Sequence, residues 1–179
     1  MIPFVHLHVH SYYSLLDGQA SISRLVDKAM ADGMRGMALT DHGNMMGIKD
    51  FFNYVSKKKG GAAKDKKAAE AKLAALRDGS YQNAPDEKGV NPDAGKTNEE
   101  LIAECEKKIE KAQRILDFKP IFGCEMYCAR RTKADKKTKE DRSGWHLVVL
   151  AKNETGYHNL VKLVSRSWID GFYMKPRTD

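Results

Sequence analysis

The chain has 179 residues, 41% of them hydrophobic, which suits one domain with its own core. It shows no apolar run of membrane length and no basic segment followed by an apolar stretch, so we expect a cytoplasmic protein without a transmembrane helix or signal peptide. The three cysteines are too few for a disulfide framework and agree with a reducing compartment. The net charge of +7 suits a phosphate-rich partner.

Three histidines alternate with apolar residues near the start of the chain. This alternation predicts a β-strand from Phe4 to His10, with His6, His8 and His10 on one face and Val5, Leu7 and Val9 on the other. Residues two apart on a strand are separated by about 6.6 Å, so neighbouring imidazoles can share a metal ion. The alternative is a half-exposed strand whose outer face is rich in histidine.

A helix and a second strand follow. Ser21 is suited to cap the helix, and Gly33 to end it. The apolar positions of the helix have helical spacing: Ile22, Leu25, Val26, Ala29 and Met30. Residues 36–40 form a short apolar strand, so the order strand, helix, strand predicts a parallel βαβ unit.

Two polar residues come directly after the second predicted strand. Asp41 and His42 precede Gly43, which allows close backbone approach. In α/β barrels the chemistry lies at the C-terminal ends of parallel strands. We therefore favour a metal site that includes His42, although an Asp-His pair can also be a helix cap with a hydrogen-bonded neighbour.

The composition changes between Lys57 and Asp117. A helix with an apolar stripe precedes this segment: Ile48, Phe51, Phe52 and Val55. Residues 57–72 hold seven lysines, a loop rich in Gly and Pro extends to Gly95, and a second helix begins with the capping box Thr97 to Glu100. We interpret residues 57–117 as a Lys-rich helical hairpin inserted into the domain.

The βα pattern resumes with an apolar strand over residues 120–128 that contains Glu125. Alternation places Glu125 and Tyr127 on the face opposite Cys124, Met126 and Cys128. A carboxylate in such a run needs a partner, because an isolated buried charge costs several kcal/mol. That partner is either a metal ion or a nearby arginine, Arg130 or Arg131.

The last predicted elements are a strand over residues 145–151 and a helix capped by Asn153. His146 stands at the start of that strand, where a lone histidine is usually a core or rim residue. The charged segment 131–142 before it suggests a mobile loop. The stripe of the final helix is Tyr157, Leu160, Val161, Val164 and Trp168, and His158 lies off it.

These residues resemble the successive motifs of a known family, the PHP (polymerase and histidinol phosphatase) domain. The motifs are His8, His10, Asp17, Asp41, His42, Glu125 and His146. The amino-acid sequence is most similar to the PHP domain at the N-terminus of bacterial DNA polymerase III alpha subunits, in four stretches: 4–18, 40–44, 123–125 and 153–157. The resemblance covers the chain except residues 57–117.

The resemblance implies a distorted, parallel (β/α)7 TIM-like barrel that binds up to three divalent metals at the C-terminal ends of its strands. The implied metal ligands, which are also the catalytic residues, are His8, His10, Asp17, His42, Glu125 and His146. Asp41 is expected to orient its neighbours. His6 stands where many members have an acid, and its role stays open.

The chain departs from the family after His146. The family pattern continues with a further Cys or His and a late Asp-x-His, and the remaining residues offer neither. Without the insertion the chain is also shorter than the roughly 200 residues that a TIM-like barrel uses. We therefore expect residues 1–179 to be the N-terminal part of a PHP domain within a longer polymerase.

The implied activity is metal-dependent hydrolysis of phosphoester bonds, as a 3′–5′ exonuclease that proofreads the 3′ end of DNA. The mixed ligands suit zinc, manganese or iron, with magnesium for the full-length DNA-directed DNA polymerase. The implied partners are the remaining polymerase chain and other replicase subunits, with no membrane. The alternatives are a free-standing PHP phosphatase for small molecules and a non-catalytic module braced by metals. The insertion is either a solvated hairpin or a surface for DNA or a replication partner.

Overall fold

The computed structural model describes residues 4–85 and 90–179. The chain divides into two compact units, one formed by the chain up to Val55 together with Phe118–Asp179, and the other by Ser56–Asp117. The helices in the described ranges are α1 (Ile22–Ala31), α2 (Ile48–Asp78), α3 (Asn98–Asp117) and α4 (Glu154–Ile169). The strands there are β1 (Gly36–Leu39), β2 (Lys119–Ala129), β3 (Gly144–Leu150), β4 (Phe172–Tyr173) and β5 (Lys175–Thr178).

Strand β2 is the centre of a mixed sheet. It pairs in parallel with β1 and β5 and antiparallel with β3, and β4 pairs antiparallel with β5. The predicted α/β class with parallel pairing is confirmed. The described residues form five strands and not a closed barrel of seven, so the (β/α)7 barrel remains a prediction.

The orientation of β3 corrects the expectation of an all-parallel sheet. Gly123 pairs with Leu150 and Ala129 with Gly144, as in an antiparallel hairpin. A parallel return needs a crossover, usually an α-helix. The connection between β2 and β3 contains only a short 3₁₀ turn at Glu140–Arg142, so the chain returns beside the strand it has just left.

The histidine segment is extended but is not the regular strand that alternation predicts. Its bonds to β1 run from the Ala38 amide to the His6 carbonyl and from the Thr40 amide to the Val9 carbonyl. Three residues on one side therefore match two on the other, which is the irregularity of a β-bulge. As a result Leu7, predicted to face the core, is 51% exposed, while Val9 packs against the core.

The first unit has a core between the sheet and two helices. Ser21 caps α1 by accepting a hydrogen bond from the Arg24 amide, as predicted. The buried residues of this core are Ile22, Val26, Ala29, Met37, Leu39, Ile48, Phe51, Val55 and Phe118. Phe52 was predicted on the same stripe of α2, but it is 53% exposed because it lies at the edge of that stripe.

The second unit consists of two long helices and the segment that joins them. Helix α2 continues past Lys57, where the composition of the sequence changes. The capping box of α3 is formed in both directions, between the Thr97 amide and Glu100 and between the Glu100 amide and Thr97. Gly89, part of the predicted loop, lies outside the described residues. Residues 56–117 contain fourteen Lys and Arg against twelve Asp and Glu, so acids largely balance the lysines.

The segment between β2 and β3 was predicted to be mobile, and the structure ties it down. Asp141 is 1% exposed and accepts hydrogen bonds from the Arg131 guanidinium and from the amides of Lys137 and Thr138. Buried Arg177 donates to the carbonyls of Lys133 and Asp135. These contacts join the segment to β5, a strand that the sequence did not predict.

The final helix begins as predicted, with the Asn153 side chain accepting a hydrogen bond from the Gly156 amide. Only part of its stripe is buried: Leu160 is enclosed, whereas Trp168 is 46% exposed. Within the described ranges, none of the helices has both the length and the apolar character needed to span a membrane.

Candidate metal centre

Backbone pairing brings residues from two separate parts of the chain beside Glu125. His42 continues the edge of β1 and forms an isolated parallel bridge with Glu125, closed by the Gly43 amide donating to the Glu125 carbonyl at 2.7 Å. On the other side of β2, His146 is opposite Tyr127. Side chains two residues apart on a strand share a face, so His42, Glu125 and His146 project from the same face of the sheet.

Four imidazoles surround the Glu125 carboxylate, whose residue is only 7% exposed. The closest is His10, with Nε2 2.8 Å from Oε2, followed by His146, with Nδ1 3.2 Å from Oε1. His42 Nδ1 lies 3.7 Å from Oε2, and His8 Nε2 lies 3.8 Å from Oε1. Five of the six predicted ligands therefore contact or approach one another here, counting Glu125.

Neither Arg130 nor Arg131 neutralises Glu125. Arg131 is engaged with Asp141, at 2.7 Å, and the Arg130 guanidinium lies 4.4 Å from the centre of the Trp145 ring. The alternative explanation of Glu125 as half of a simple salt bridge is therefore wrong for both arginines considered from the sequence.

The donor atoms fit divalent metal ions. Two groups have ligand atoms that all lie within 4.8 Å of one another among the described residues: His8, His10 and Glu125, and His42, Glu125 and His146. Three buried atoms of these groups make no hydrogen bond of good geometry in the described part of the chain: His42 Nε2, and the pair His10 Nε2 and Glu125 Oε2, which lie 2.8 Å apart without forming one. Unsatisfied buried polar atoms are costly, and a cation would satisfy them. Imidazole and carboxylate ligands suit zinc, manganese or iron.

Two neighbouring side chains orient the histidines. Asp17 Oδ2 lies 2.5 Å from His42 Nδ1, and this hydrogen bond holds the pKa of Asp17 below its usual range. Thr40 Oγ1 lies 3.0 Å from His8 Nδ1 and 3.2 Å from the Val9 carbonyl. If the hydroxyl donates to that carbonyl, it accepts the Nδ1 proton of His8, and His8 Nε2 keeps its lone pair toward Glu125.

Asp41 has a different environment from the predicted ligands. It is buried, and its carboxylate accepts hydrogen bonds from the Ser11 amide, at 2.7 Å, and from the hydroxyls of Ser11 and Ser14. These bonds fix the loop that leads to Asp17. The oxygens of Asp41 are thus occupied by the chain itself, as an orienting residue requires.

His6 is not drawn into the centre. Its ring packs edge-on against Phe4, with ring centres 4.7 Å apart, and it belongs to neither of the two ligand groups among the described residues. Cys124 is also apart from the centre, because it lies on the opposite face of β2. Burial raises the pKa of its thiol to about 12, so the thiol stays protonated and packs as a small apolar group.

Three residues near the centre were not predicted as site residues. The Tyr127 ring stacks on His42, with ring centres 4.5 Å apart. Lys175 Nζ lies 5.5 Å from the centre of the same Tyr127 ring. Trp168 Nε1 donates to the Gly43 carbonyl at 2.8 Å. The position of Tyr127, two residues after Glu125, was a usable signal. Trp168 and Lys175 reach the site through tertiary contacts that no local pattern reveals.

The PHP domain family matches residues 6–179. The chain belongs to this family. DNA polymerase III subunit alpha of Treponema pallidum and that of Borreliella burgdorferi are each 36% identical to it over 177 residues, which are 98% of this chain. The corresponding protein of Aquifex aeolicus is 29% identical over 182 residues. The chain spans only about a tenth of the length of the curated relatives it matches.

PHP domains depend on metals, and this one provides the two His/Glu groups described above. The family assignment therefore agrees with the unsatisfied buried donors around Glu125.

Proposed function

We propose that this PHP domain is a metal-dependent phosphoesterase that removes nucleotides from the 3′ end of DNA, as the 3′–5′ proofreading exonuclease of a bacterial replicative polymerase. The observation that carries the proposal is the buried Glu125 carboxylate among four imidazoles, with His10 Nε2, His42 Nε2 and Glu125 Oε2 making no hydrogen bond of good geometry in the described ranges. The ligands proposed are those predicted: His8, His10, Asp17, His42, Glu125 and His146.

Divalent ions held by these residues would activate water and offset negative charge on the phosphoryl oxygens. The residues themselves prepare the donor atoms. Glu125 belongs to both groups, so one carboxylate serves two neighbouring positions. The ionised Asp17 accepts the Nδ1 proton of His42, which leaves the buried Nε2 lone pair of that ring available. Thr40 does the same for His8.

The polymerase context is inferred from the relatives, which are DNA polymerase III alpha subunits. We propose that the full-length protein is a DNA-directed DNA polymerase, a nucleotidyltransferase with its own magnesium site elsewhere in the chain. DNA, the rest of that polymerase chain and other replicase subunits are then its partners.

The test uses protein loaded in turn with Mn²⁺, Zn²⁺ or Fe²⁺ and single-stranded DNA labelled at its 5′ end. We expect stepwise shortening from the 3′ end, and loss of this activity in the His8→Ala, His10→Ala double variant. His158→Ala is the matched control, because this histidine on α4 has a side chain that is 63% exposed and lies outside both ligand groups. Wild-type protein that holds metal and leaves the DNA intact would contradict the exonuclease.

Two alternatives have distinct outcomes in the same assay. Hydrolysis of p-nitrophenyl phosphate without shortening of DNA would favour a small-molecule phosphatase. Bound metal without hydrolysis of either substrate would favour a structural brace, since metal binding can contribute to folding alone. A full-length variant that loses polymerase activity together with metal would point the same way.

A further inference from the structure

Lys175 places a positive charge at the rim of the candidate metal centre. Its Nζ lies 5.5 Å from the centre of the Tyr127 ring, and the same ring stacks on His42. The residue is exposed at the start of β5. The Lys175 ammonium and a predicted metal ligand, His42, therefore contact the same aromatic ring.

The backbone before Lys175 is held in an unusual conformation. Met174, which joins β4 to β5, has a φ of 65°, in the left-handed region that residues other than glycine rarely adopt. The two residues after Lys175, Pro176 and Arg177, are buried, and Arg177 pairs with Tyr127 in the sheet. Strained residues persist where surrounding structure determines them, often at functional sites. Here the strained turn directs a lysine toward the centre.

The charge of Lys175 is not neutralised locally. No carboxylate lies within ion-pair distance of its Nζ in the parts of the chain that the structure describes, whereas Lys133, on the adjoining segment, pairs with Asp179 at 2.7 Å.

We propose that Lys175 binds a non-bridging oxygen of the substrate phosphate at the metal centre. The inference rests on the proposed function, because a phosphoester is the ligand that such a centre receives. A lysine is suited to this task as a mobile point charge at the end of a flexible stem. Its hydrogen bond to an anionic phosphate would be charge-assisted, and hence stronger than a neutral one.

The competing explanation is that Lys175 only braces Tyr127 by a cation–π contact. Loss of a brace would disturb His42 and lower the metal content. Loss of a phosphate-binding cation would instead leave the metal in place and weaken phosphate binding. The two explanations therefore differ in a quantity that does not depend on turnover.

The experiment measures binding of inorganic phosphate to the Mn²⁺-loaded protein by calorimetry, metal content by elemental analysis, and KM and kcat for bis(p-nitrophenyl) phosphate. The variants are Lys175→Ala, Lys175→Gln and Lys175→Arg. Lys162→Ala is the matched control, an exposed lysine on α4. We expect Lys175→Ala and Lys175→Gln to bind phosphate about tenfold more weakly at unchanged metal content, with Lys175→Arg restoring most of the affinity and Lys162→Ala having no effect.

Phosphate binding equal to wild type in both neutral variants would overturn the role of Lys175, and so would loss of metal in step with phosphate affinity. If metal-loaded wild type bound phosphate through Lys175 but hydrolysed no phosphoester, the proposed function would fail and the binding site would stand. If the wild type hydrolysed phosphoesters and the Lys175 variants bound phosphate as well as the wild type does, the proposed function would stand and the role of Lys175 would fail. Metal-loaded wild type that binds no phosphate would overturn this inference directly.

Discussion

Two regions of the molecule each bury a carboxylate to the same extent and treat it differently. Asp93 in the helical unit and Glu125 on the sheet are both 7% exposed. Asp93 is paired with the Lys72 ammonium and accepts a hydrogen bond from the Tyr81 hydroxyl, and these contacts hold its pKa below the usual range. The Glu125 carboxylate is approached by imidazoles, and its Oε2, although 2.8 Å from His10 Nε2, makes no hydrogen bond of good geometry among the described residues.

The difference distinguishes a carboxylate with protein partners from one that we propose binds metal. Asp93 is met by residues of its own unit, so this buried carboxylate needs no external ion. The sheet face gathers donor atoms that lack partners, which is costly unless something binds there. Lysine content drew attention to the first region, whereas incomplete hydrogen bonding identifies the second.

The largest expected effect comes from Glu125→Gln. The amide keeps the size of the side chain but removes the charge shared by both ligand groups, so we expect loss of bound metal and a fall in phosphoesterase activity of about 100-fold or more. Elemental analysis and the DNA assay measure the two effects. Asp93→Asn is the control at equal burial. Full metal content in Glu125→Gln would remove the contrast between the two carboxylates.

Next in size is the effect of Thr40→Val on metal affinity. Without the hydroxyl, His8 Nδ1 loses its partner at 3.0 Å, so the ring is no longer fixed toward Glu125. We expect metal affinity to fall about 10-fold or more, as for other residues that orient a ligand. Competition with a chromophoric chelator measures it. Thr40→Ser retains the hydroxyl and should retain the affinity; equal weakening in both variants would mean that the methyl group matters instead.

Asp93→Asn should act on stability alone. The substitution removes the charge that pairs with Lys72 and weakens the bond from Tyr81, so we expect the free energy of unfolding to fall by about 1–3 kcal/mol. Denaturant titration gives this value, and elemental analysis of the same sample gives the metal content. Release of metal by this variant would show that the Asp93 and Glu125 regions are coupled, which would contradict a purely structural role for Asp93.

Asp141 is a third buried carboxylate, and like Asp93 it accepts hydrogen bonds from residues of the chain. The pH dependence of stability tests its role. The Arg131 guanidinium and the amides of Thr138 and Lys137 hold its pKa well below its usual range. The folded pKa is thus below the unfolded value of about 3.9, and the stabilisation is complete above that value. It is lost as the pH falls through the folded pKa.

We therefore expect Asp141→Asn to lower Tm at pH 7, and the gap to wild type to narrow below about pH 4. Thermal unfolding followed by circular dichroism over this range measures both melting temperatures. Asp32→Asn, which removes an exposed partner of Lys28, serves as the charge control. A gap that stays constant down to the lowest pH would contradict the assignment.

Local patterns predicted the elements well where caps and stripes decide them. Ser21, Asn153 and the Thr97–Glu100 box begin helices as expected, because their side chains bond within three residues. The meeting of His8, His10, His42, Glu125 and His146 was also predictable in outline, since the ends of adjacent strands lie at one edge of a sheet. Ligation of metal by these residues, and by Asp17, remains a prediction.

Features that depend on distant contacts left no signal in the sequence. The bulge that exposes Leu7 follows from the register against β1, and the antiparallel return of β3 follows from a connection without an α-helix. The turn at Met174 brings Lys175 beside Tyr127, where Arg177 pairs with Tyr127 in the sheet. None of these contacts is local in sequence, so periodicity could not reveal them.

We propose that the sheet face around Glu125 is a metal centre. The most direct measurement is the number and identity of metal ions per chain in the purified protein, by elemental analysis, beside the correctly folded His8→Ala, His10→Ala variant. We expect zinc, manganese or iron in the wild type and its loss in the variant. Metal-free wild type with normal folding after purification and metal reconstitution, or equal metal content in both proteins, would contradict the claim.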